Sequence, residues 1–272
     1  MEPTFAAGFP AAAHVLVNAN LPALNLPAPS LADALVVDGS DGHHLVRVRR
    51  LQVGEAVTAA DGQGQWRPYV VSSVDDRSLT LSATGSPRTE PVRTPGLAVA
   101  FALTKGVKPE TVVRQLTELG VDEILPVVAS RSIVRLRGER AVAFVERLER
   151  VAREAAMQSR LAWLPRIAAV APLATLAGNP GLVIAERGDL PTTDPPDPGA
   201  GGWLLVVGPE GGLAPEDLHS LEGSVLDEGR GEPVPRLSVG PHVLRAETAA
   251  VAAAAVLSAR RAPEASGPGA PR

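Results

Sequence analysis

The chain has 272 residues, of which 45% are hydrophobic and 21% are charged, a composition typical of a folded globular protein. It contains no cysteine, which excludes disulfides, thiolate metal sites and cysteine nucleophiles, and which fits a reducing cytoplasm. No run approaches the roughly eighteen apolar residues of a membrane span, and the first residues lack the basic region of a signal peptide. We therefore expect a cytoplasmic protein with one or two domains, and favour two.

Charge is unevenly distributed along the chain. The net charge is −4, but residues 91–166 hold 13 Lys and Arg against 8 Asp and Glu, whereas the segments on either side are acidic. A basic centre of this kind can attract a polyanion such as RNA. It can also be no more than the solvated face of a helix, so both interpretations stay open at this point.

The first 85 residues contain short strand-like segments. Examples are AHVLV (13–17), DALVVDG (33–39) and SLTLSAT (78–84), and Gly42, Gly54 and the pair Asp61-Gly62 supply turns at strand spacing. This pattern predicts a small β-barrel or sandwich over residues 1–85. The Pro- and Gly-containing segment 86–96 is predicted to be a linker.

From residue 97 the pattern changes to strands that alternate with helices. The continuous apolar run at 97–103 predicts a strand that is buried on both faces, and further strands are predicted at 121–129, 181–187 and 203–208. Apolar residues at helical spacing predict helices at 108–120, 139–162 and 245–261, the first of which stops at Gly120. The alternation predicts an α/β domain with a parallel sheet over 97–261, followed by a disordered tail at 262–272.

Two glycine-containing turns follow apolar runs near the C-terminus, in WLLVVGPEGGL (203–213) and RLSVGPHVLRAETAA (236–250). Glycines let a ligand approach backbone N–H groups at the carboxyl end of a strand. The spacings of the P-loop and of the dinucleotide-binding fingerprint are both absent, so these two nucleotide sites are excluded. Each turn by itself is also compatible with a plain connection between a strand and a helix.

Together and in this order, GPEGGL and LSVGPHVLRAETA resemble the family of 16S ribosomal RNA uridine-N3 methyltransferases, small subunit methyltransferase E, in the SPOUT superfamily. DGHHLVRVRRLQVGE (41–55), QLTELGVDEILPVVASRS (115–132) and EAAMQSR (154–160) resemble the same family. The resemblance implies an N-terminal PUA-like β-barrel and a C-terminal SPOUT α/β domain with a trefoil knot. It also implies a homodimer, without metal, that transfers a methyl group from S-adenosyl-L-methionine to N3 of one uridine in the 16S rRNA of the small ribosomal subunit.

Residue by residue, the resemblance implies a cofactor pocket formed by Gly208, Pro209, Glu210, Gly211, Gly212, Leu237, Ser238, Val239, Gly240 and Leu244. Uridine N3 must also lose its proton, which requires a base or a group that stabilises the developing charge. Arg245 is the first candidate for stabilising that charge. Glu210 is a less favoured proton acceptor, since its carboxylate could instead form a hydrogen bond that closes its own turn.

The resemblance also gives the basic centre a role in RNA binding. The candidates are Lys105, Arg131, Gln158 and Arg160, with His43, His44, Arg47 and Arg50 on the barrel. For the two adjacent histidines, His43 and His44, the alternative to RNA binding is a structural role. Arg49 stands at an apolar position of the barrel motif, and the loop 188–202 is long for the family.

Two other functions stay open. A SPOUT ribose 2′-O-methyltransferase would share the cofactor, the knot and the dimer, but LRAETAA stands where that group would carry a Ser-Leu-Asn signature. A non-catalytic RNA-binding protein would share the fold, although the intact pair of glycine turns argues against it.

Overall fold

The structure is a computed structural model that describes residues 5–17, 31–104, 108–130, 132, 136–192, 194–198, 200–222 and 234–263. The chain divides into two compact units. Of the described residues, unit 1 contains those up to Val92 and the segment Arg153–Leu164, and unit 2 contains those in Arg93–Ala152 and Pro165–Pro263.

Unit 1 is built on a six-stranded sheet. Its strands are β1 (Ala13–Leu16), β2 (Ala34–Val37), β3 (Ala56–Ala60), β4 (Gln65–Val74), β5 (Leu79–Ala83) and β6 (Arg88–Thr89). Their order is β1-β3-β4-β5-β2, with β6 paired to β4. The pair β1 and β3 is parallel, and the other pairs are antiparallel. Val15, Val57, Tyr69, Leu79 and Leu81 form the centre of its hydrophobic core.

The connection between β2 and β3 is helical, which the sequence reading missed. It consists of the helix α1 (Gly39–His43) and a π-helical turn (His44–Val48). Gly42, predicted to be a turn residue at strand spacing, lies inside α1. A Cβ atom there would lie 2.5 Å from the carbonyl oxygen of Arg77, so this close backbone approach requires glycine. Arg49, at the apolar motif position, is exposed and donates to the carbonyl of Ala12 (2.6 Å), so it stays out of the core.

Unit 2 contains the parallel sheet that the sequence predicts. The strands of unit 2 are β7 (Arg93–Thr94), β8 (Leu97–Ala102), β9 (Glu123–Val128), β10 (Arg166–Ile167), β11 (Ala171–Pro172), β12 (Leu182–Ala185), β13 (Trp203–Val207), β14 (Arg236–Leu237) and β15 (Ala262–Pro263). β7 and β15 form a separate antiparallel pair. The order of the main sheet is β10-β9-β8-β13-β12-β14, and β11 also pairs with β9. All of these pairs are parallel, which confirms the α/β prediction.

Among the described residues, four longer helices connect these strands: α2 (Pro109–Glu118), α3 (Glu139–Ser159), α4 (Pro215–Glu222) and α5 (Ala246–Ser258). α2 buries Val112, Val113 and Leu116 and is followed by Gly120 in the left-handed region (φ 71°), as the helix stop requires. α4 was not predicted, because its eight residues are too few for a clear apolar period. None of the described helices combines the length and the hydropathy that a membrane span needs.

Some predicted boundaries differ from the structure. The predicted linker 86–96 contributes β6 to unit 1 and β7 to unit 2, and residues 262–263 of the predicted tail form β15, which pairs with β7. The end of α3 belongs to unit 1, although the sequence placed it in the second domain. Two-residue strands have no periodicity, and their partners are distant in sequence, so the pattern could not reveal them. Residues 264–272 of the predicted tail lie outside the described residues.

Candidate functional site

A pocket of about 480 Å³ lies in unit 2, where three neighbouring strands end. Ala185, the last residue of β12, pairs with Val207 at the end of β13 on one side and with Leu237 at the end of β14 on the other. The carboxyl ends of the three strands therefore lie at one edge of the sheet, which is where open parallel sheets bind ligands. The start of α5 completes the lining through Ala246, Ala249 and Ala253.

The structure brings most of the predicted pocket residues together here. Nine of the ten line the pocket, namely Gly208, Pro209, Glu210, Gly211, Gly212, Leu237, Val239, Gly240 and Leu244. The tenth, Ser238, is not among the lining residues. Its hydroxyl accepts a hydrogen bond from the N–H of Gly240 (3.1 Å), so Ser238 stabilises the loop without lining the pocket.

The first glycine turn leaves open space along its outer side. The N–H of Gly212 donates to the carbonyl of Pro209 (2.8 Å), which closes the turn, and Gly212 has a φ of 78°. Among the described residues, a Cβ atom at Gly211 or at Gly212 would meet no atom within 4 Å, whereas one at Gly208 would lie 2.9 Å from the side chain of Leu213. Gly208 is thus needed for packing inside the protein, and Gly211 and Gly212 border free space.

The two predicted catalytic side chains occupy different positions. Glu210 lines the pocket, and its carboxylate makes no hydrogen bond to any described residue, so the turn is closed by backbone groups alone. Arg245 is the N-terminal capping residue of α5 and is exposed. It is not a lining residue, although Leu244 and Ala246 on either side of it are.

The predicted RNA contacts are only partly brought together. Within unit 1, His44, Gln158 and Arg160 line a second cavity of about 690 Å³. Arg160 is half-buried, and its guanidinium donates to the carbonyls of Phe9 (3.0 Å) and Ala11 (2.6 Å), which is a structural role.

The remaining RNA candidates are His43, Arg47 and Arg50, which are exposed, and Lys105 and Arg131, which lie outside the described residues. Arg47 forms an ion pair with Asp76. The guanidinium of Arg50 makes no hydrogen bond to any part of the chain that the structure describes, so Arg50 is the more available cation of the two.

Several lining residues were missed by the sequence reading. Glu186 and Arg187 follow β12, and His242 and Val243 belong to the second loop. GLVIAER was predicted to be a strand of the parallel sheet, so the rule that ligands bind at carboxyl ends could have identified Glu186 and Arg187. Glu247, in the first turn of α5, was also missed: its Oε2 atom is buried and has no hydrogen-bond partner among the described residues.

Within the described residues, no three His, Asp or Glu side chains are grouped so that they could hold a metal ion.

Comparison with known proteins supports the family resemblance over most of the chain. The family described as RNA methyltransferase domain matches residues 92–258, and the family described as RNA methyltransferase PUA domain matches residues 37–83. A Mycobacterium bovis protein named ribosomal RNA small subunit methyltransferase E is 34% identical over 234 residues, which cover 83% of this chain and 86% of that protein. A Bacillus subtilis protein of the same name is 28% identical over 243 residues, which cover 84% of this chain and 90% of that protein.

A solved structure shows the same fold. It is a ribosomal RNA small subunit methyltransferase E from Neisseria gonorrhoeae bound to S-adenosyl methionine, and it aligns with a TM-score of 0.70 at 22% identity, covering 86% of this chain and 96% of that one. At this identity the similarity concerns the fold alone. The RNA methyltransferase domain spans more than half of the chain, and the mycobacterial relative is similar over most of its length. The chain therefore belongs to the RNA methyltransferase family of ribosomal RNA small subunit methyltransferase E.

Proposed function

We propose that the protein uses S-adenosyl-L-methionine to methylate N3 of a specific uridine in the 16S rRNA of the small ribosomal subunit. The observation that carries this proposal is the pocket at the carboxyl edge of the parallel sheet, which nine residues named from the family resemblance line together. The solved neighbour from Neisseria gonorrhoeae is a protein bound to the same cofactor.

The pocket residues fit such a cofactor. The volume of about 480 Å³ is within the usual range for small-molecule sites. Gly211, Gly212 and Gly240 border open space, so their backbone groups are accessible to the polar ends of a ligand, while Leu237, Val239 and Leu244 supply apolar contact. When bound, the cofactor supplies an electrophilic methyl group and needs no metal.

Glu210 and Arg245 have different proposed roles. Glu210 has a carboxylate without a hydrogen bond to the described residues and lines the pocket, so it can accept the N3 proton of uridine. Arg245 is exposed beside the pocket, where its charge would stabilise the deprotonated base or an RNA phosphate. The proposed contacts to the remaining RNA are His43, His44, Arg47, Arg50, Lys105, Arg131 and Gln158, whereas Arg160 keeps the structural role that its two backbone hydrogen bonds give it.

We also infer several properties of the whole protein from the family and from the sequence. The protein is a cytoplasmic homodimer, its C-terminal domain contains a trefoil knot, and neither a metal nor a membrane takes part in the reaction.

The proposed proton acceptor can be tested by replacing Glu210 with Gln. This variant keeps the shape of the turn but removes the base, and general bases typically contribute 10²- to 10⁴-fold to a rate. We expect kcat for methylation to fall by about that range while cofactor affinity changes little. An unchanged kcat would exclude Glu210 as the proton acceptor.

The reaction itself is tested with small ribosomal subunits from a strain that lacks the gene. The purified protein and S-adenosyl-L-methionine are added, and the rRNA nucleosides are then analysed by mass spectrometry. New 3-methyluridine supports the proposal, whereas a new ribose-methylated nucleoside would identify a 2′-O-methyltransferase. If calorimetry detects no cofactor binding, the protein is a non-catalytic RNA-binding protein and the proposal is wrong.

A further inference from the structure

Residues 188–192, named the strap, follow the pocket-lining end of β12 in the chain and lie against the second glycine loop. Glu186 and Arg187, just before the strap, line the pocket, as do Val239 and Gly240 in the loop. The N–H of Glu186 donates to the carbonyl of Leu237 (2.9 Å), which is the last backbone hydrogen bond between the two segments before the strap. Beyond this point the sheet has ended, and the loop depends on other contacts for its position.

Thr192 supplies two of those contacts. Its N–H donates to the carbonyl oxygen of Ser238 (2.7 Å), and its Oγ1 accepts from the N–H of Ser238 (2.8 Å). Thr192 therefore pairs with both backbone polar groups of Ser238. Because Ser238 in turn accepts a hydrogen bond from Gly240 (3.1 Å), the contact reaches the pocket lining in one further step.

Packing and a second anchor restrict the strap itself. A Cβ atom at Gly188 would lie 3.0 Å from the Cβ and Oγ atoms of Ser238, so the start of the strap is in close contact with the same loop residue. Further along, the indole N–H of Trp203 donates to the carbonyl of Pro196 (2.7 Å), and Trp203 is buried at the start of β13. Contacts are thus present at Gly188, before Thr192, and at Pro196, after the strap.

We propose that Thr192 is a positioning residue that holds the second pocket loop in its ligand-binding shape and so sets the affinity of the pocket for the cofactor. This inference rests on the proposed function of the pocket. Gly240 has a φ of 135°, a conformation that only glycine adopts readily, so the loop would sample other shapes without an external tie. A loop that is already ordered before the cofactor binds does not weaken binding through the entropy lost in ordering it.

The test compares Thr192→Val, Thr192→Ser and a control, Thr175→Val. Valine keeps the shape of threonine but cannot accept the hydrogen bond of Ser238, and serine can. Thr175 also makes one hydrogen bond through its Oγ1, which donates to the carbonyl of Pro172 (2.7 Å), but it does not line the pocket. Loss of one such hydrogen bond corresponds to roughly a three- to tenfold change in affinity.

We expect calorimetry to give a Kd for S-adenosyl-L-methionine that is about three- to tenfold higher in Thr192→Val, and near the wild-type value in Thr192→Ser and Thr175→Val. The KM for the cofactor should rise with little change in kcat, and hydrogen exchange at the Ser238 amide should become faster. If the wild-type protein binds and Thr192→Val binds equally well, the strap inference is wrong and the proposed function stands. If the wild-type protein does not bind, both fail.

Discussion

His14 is a histidine that the fold holds in its neutral form. It is 5% exposed in unit 1, where Nε2 lies 3.2 Å from the carbonyl oxygen of Leu161 and Nδ1 lies 2.8 Å from Oγ1 of Thr58. A carbonyl only accepts, so Nε2 carries the proton and the Thr58 hydroxyl donates to Nδ1. Burial lowers the pKa of His14 to about 4, the Leu161 carbonyl opposes this shift, and the charge of Arg160 adds to it.

This shift predicts a loss of stability between neutral and mildly acidic pH. The unfolded chain protonates His14 near pH 6.5 and the folded chain only near pH 4, so acid favours the unfolded state in this window. We expect His14 alone to lower the free energy of unfolding by about 2 kcal/mol between pH 7 and pH 5. Urea unfolding at both pH values measures the change.

His14→Gln provides the comparison, because glutamine can still contact Thr58 but does not titrate. The difference between pH 7 and pH 5 should be smaller in the variant by that same amount, while other titrating groups contribute equally to both proteins. An identical pH dependence in the two proteins would contradict the assignment.

The variant Gly211→Val tests whether this pocket binds the cofactor. The φ of Gly211 is not in the left-handed region, and a Cβ there meets no atom of the described residues within 4 Å. Gly211→Val should therefore fold normally while its side chain enters the free space of the pocket. We expect cofactor binding to become undetectable by calorimetry with little change in Tm. Gly201→Val is the matched control, because Gly201 has the same open surroundings and does not line the pocket. Wild-type affinity in Gly211→Val would refute the pocket assignment.

At the scale of elements, one buried arginine ties the ends of several strands and helices together in unit 2. The side chain of Arg261 is 0% exposed and donates to the carbonyls of Arg93 (2.9 Å), Pro95 (2.8 Å) and Gly120 (2.6 Å). It also pairs with Asp122 (2.5 Å), which accepts the N–H of Leu97 (2.7 Å). The segments before β8 and β9 and the end of α5 therefore share one polar centre.

Removing this centre should destabilise the protein. Arg261→Met leaves three carbonyls without their donor, while Asp122, whose side chain is 47% exposed, can still be hydrated. We expect a loss of about 2 to 3 kcal/mol in the free energy of unfolding, most of it from the carbonyls. Arg166→Met is the control, since Arg166 pairs with Glu123 on the surface and such pairs contribute less than about 1 kcal/mol. Equal effects of the two substitutions in denaturant unfolding would argue against a special role for Arg261.

At the scale of the whole molecule, the distribution of charge matters more than the net charge of −4. Unit 1 presents Arg47 and Arg50 at the surface, and only Arg47 has an ion-pair partner, Asp76, within the described residues. Contact of a cation with phosphate releases counterions, so RNA affinity falls as salt rises. The proposed RNA interface therefore predicts that Arg50 contributes more to RNA affinity than Arg47 does.

We expect Arg50→Ala to weaken binding of a 16S rRNA fragment and to reduce the slope of log K against log salt by about 0.7 to 0.9. Arg47→Ala should change the slope less, because Asp76 already neutralises part of its charge. Fluorescence anisotropy at several KCl concentrations gives both slopes. A slope in Arg50→Ala equal to that of the wild-type protein would remove Arg50 from the interface.

Much of the fold and most of the pocket could be predicted. The apolar runs of β8, β12 and β13 and the helical spacing in α2 are local patterns, and the structure confirms the parallel sheet that they predict. Nine pocket residues followed from two motifs whose backbone shape depends on glycine. The homodimer and the trefoil knot stay predictions that the family resemblance implies.

The sequence by itself determined the longer strands of the parallel sheet, the long helices, the absence of cysteine chemistry and the family to which the chain belongs, because periodicity and motifs are properties of neighbouring residues. Only the tertiary structure decided which side chains share a site. It pairs Thr192 with Ser238, joins Glu186 to the pocket, and satisfies Arg160 with backbone carbonyls. These contacts join residues that are far apart in the chain, and they depend on where the sheet ends and where loops cross, which no local pattern specifies.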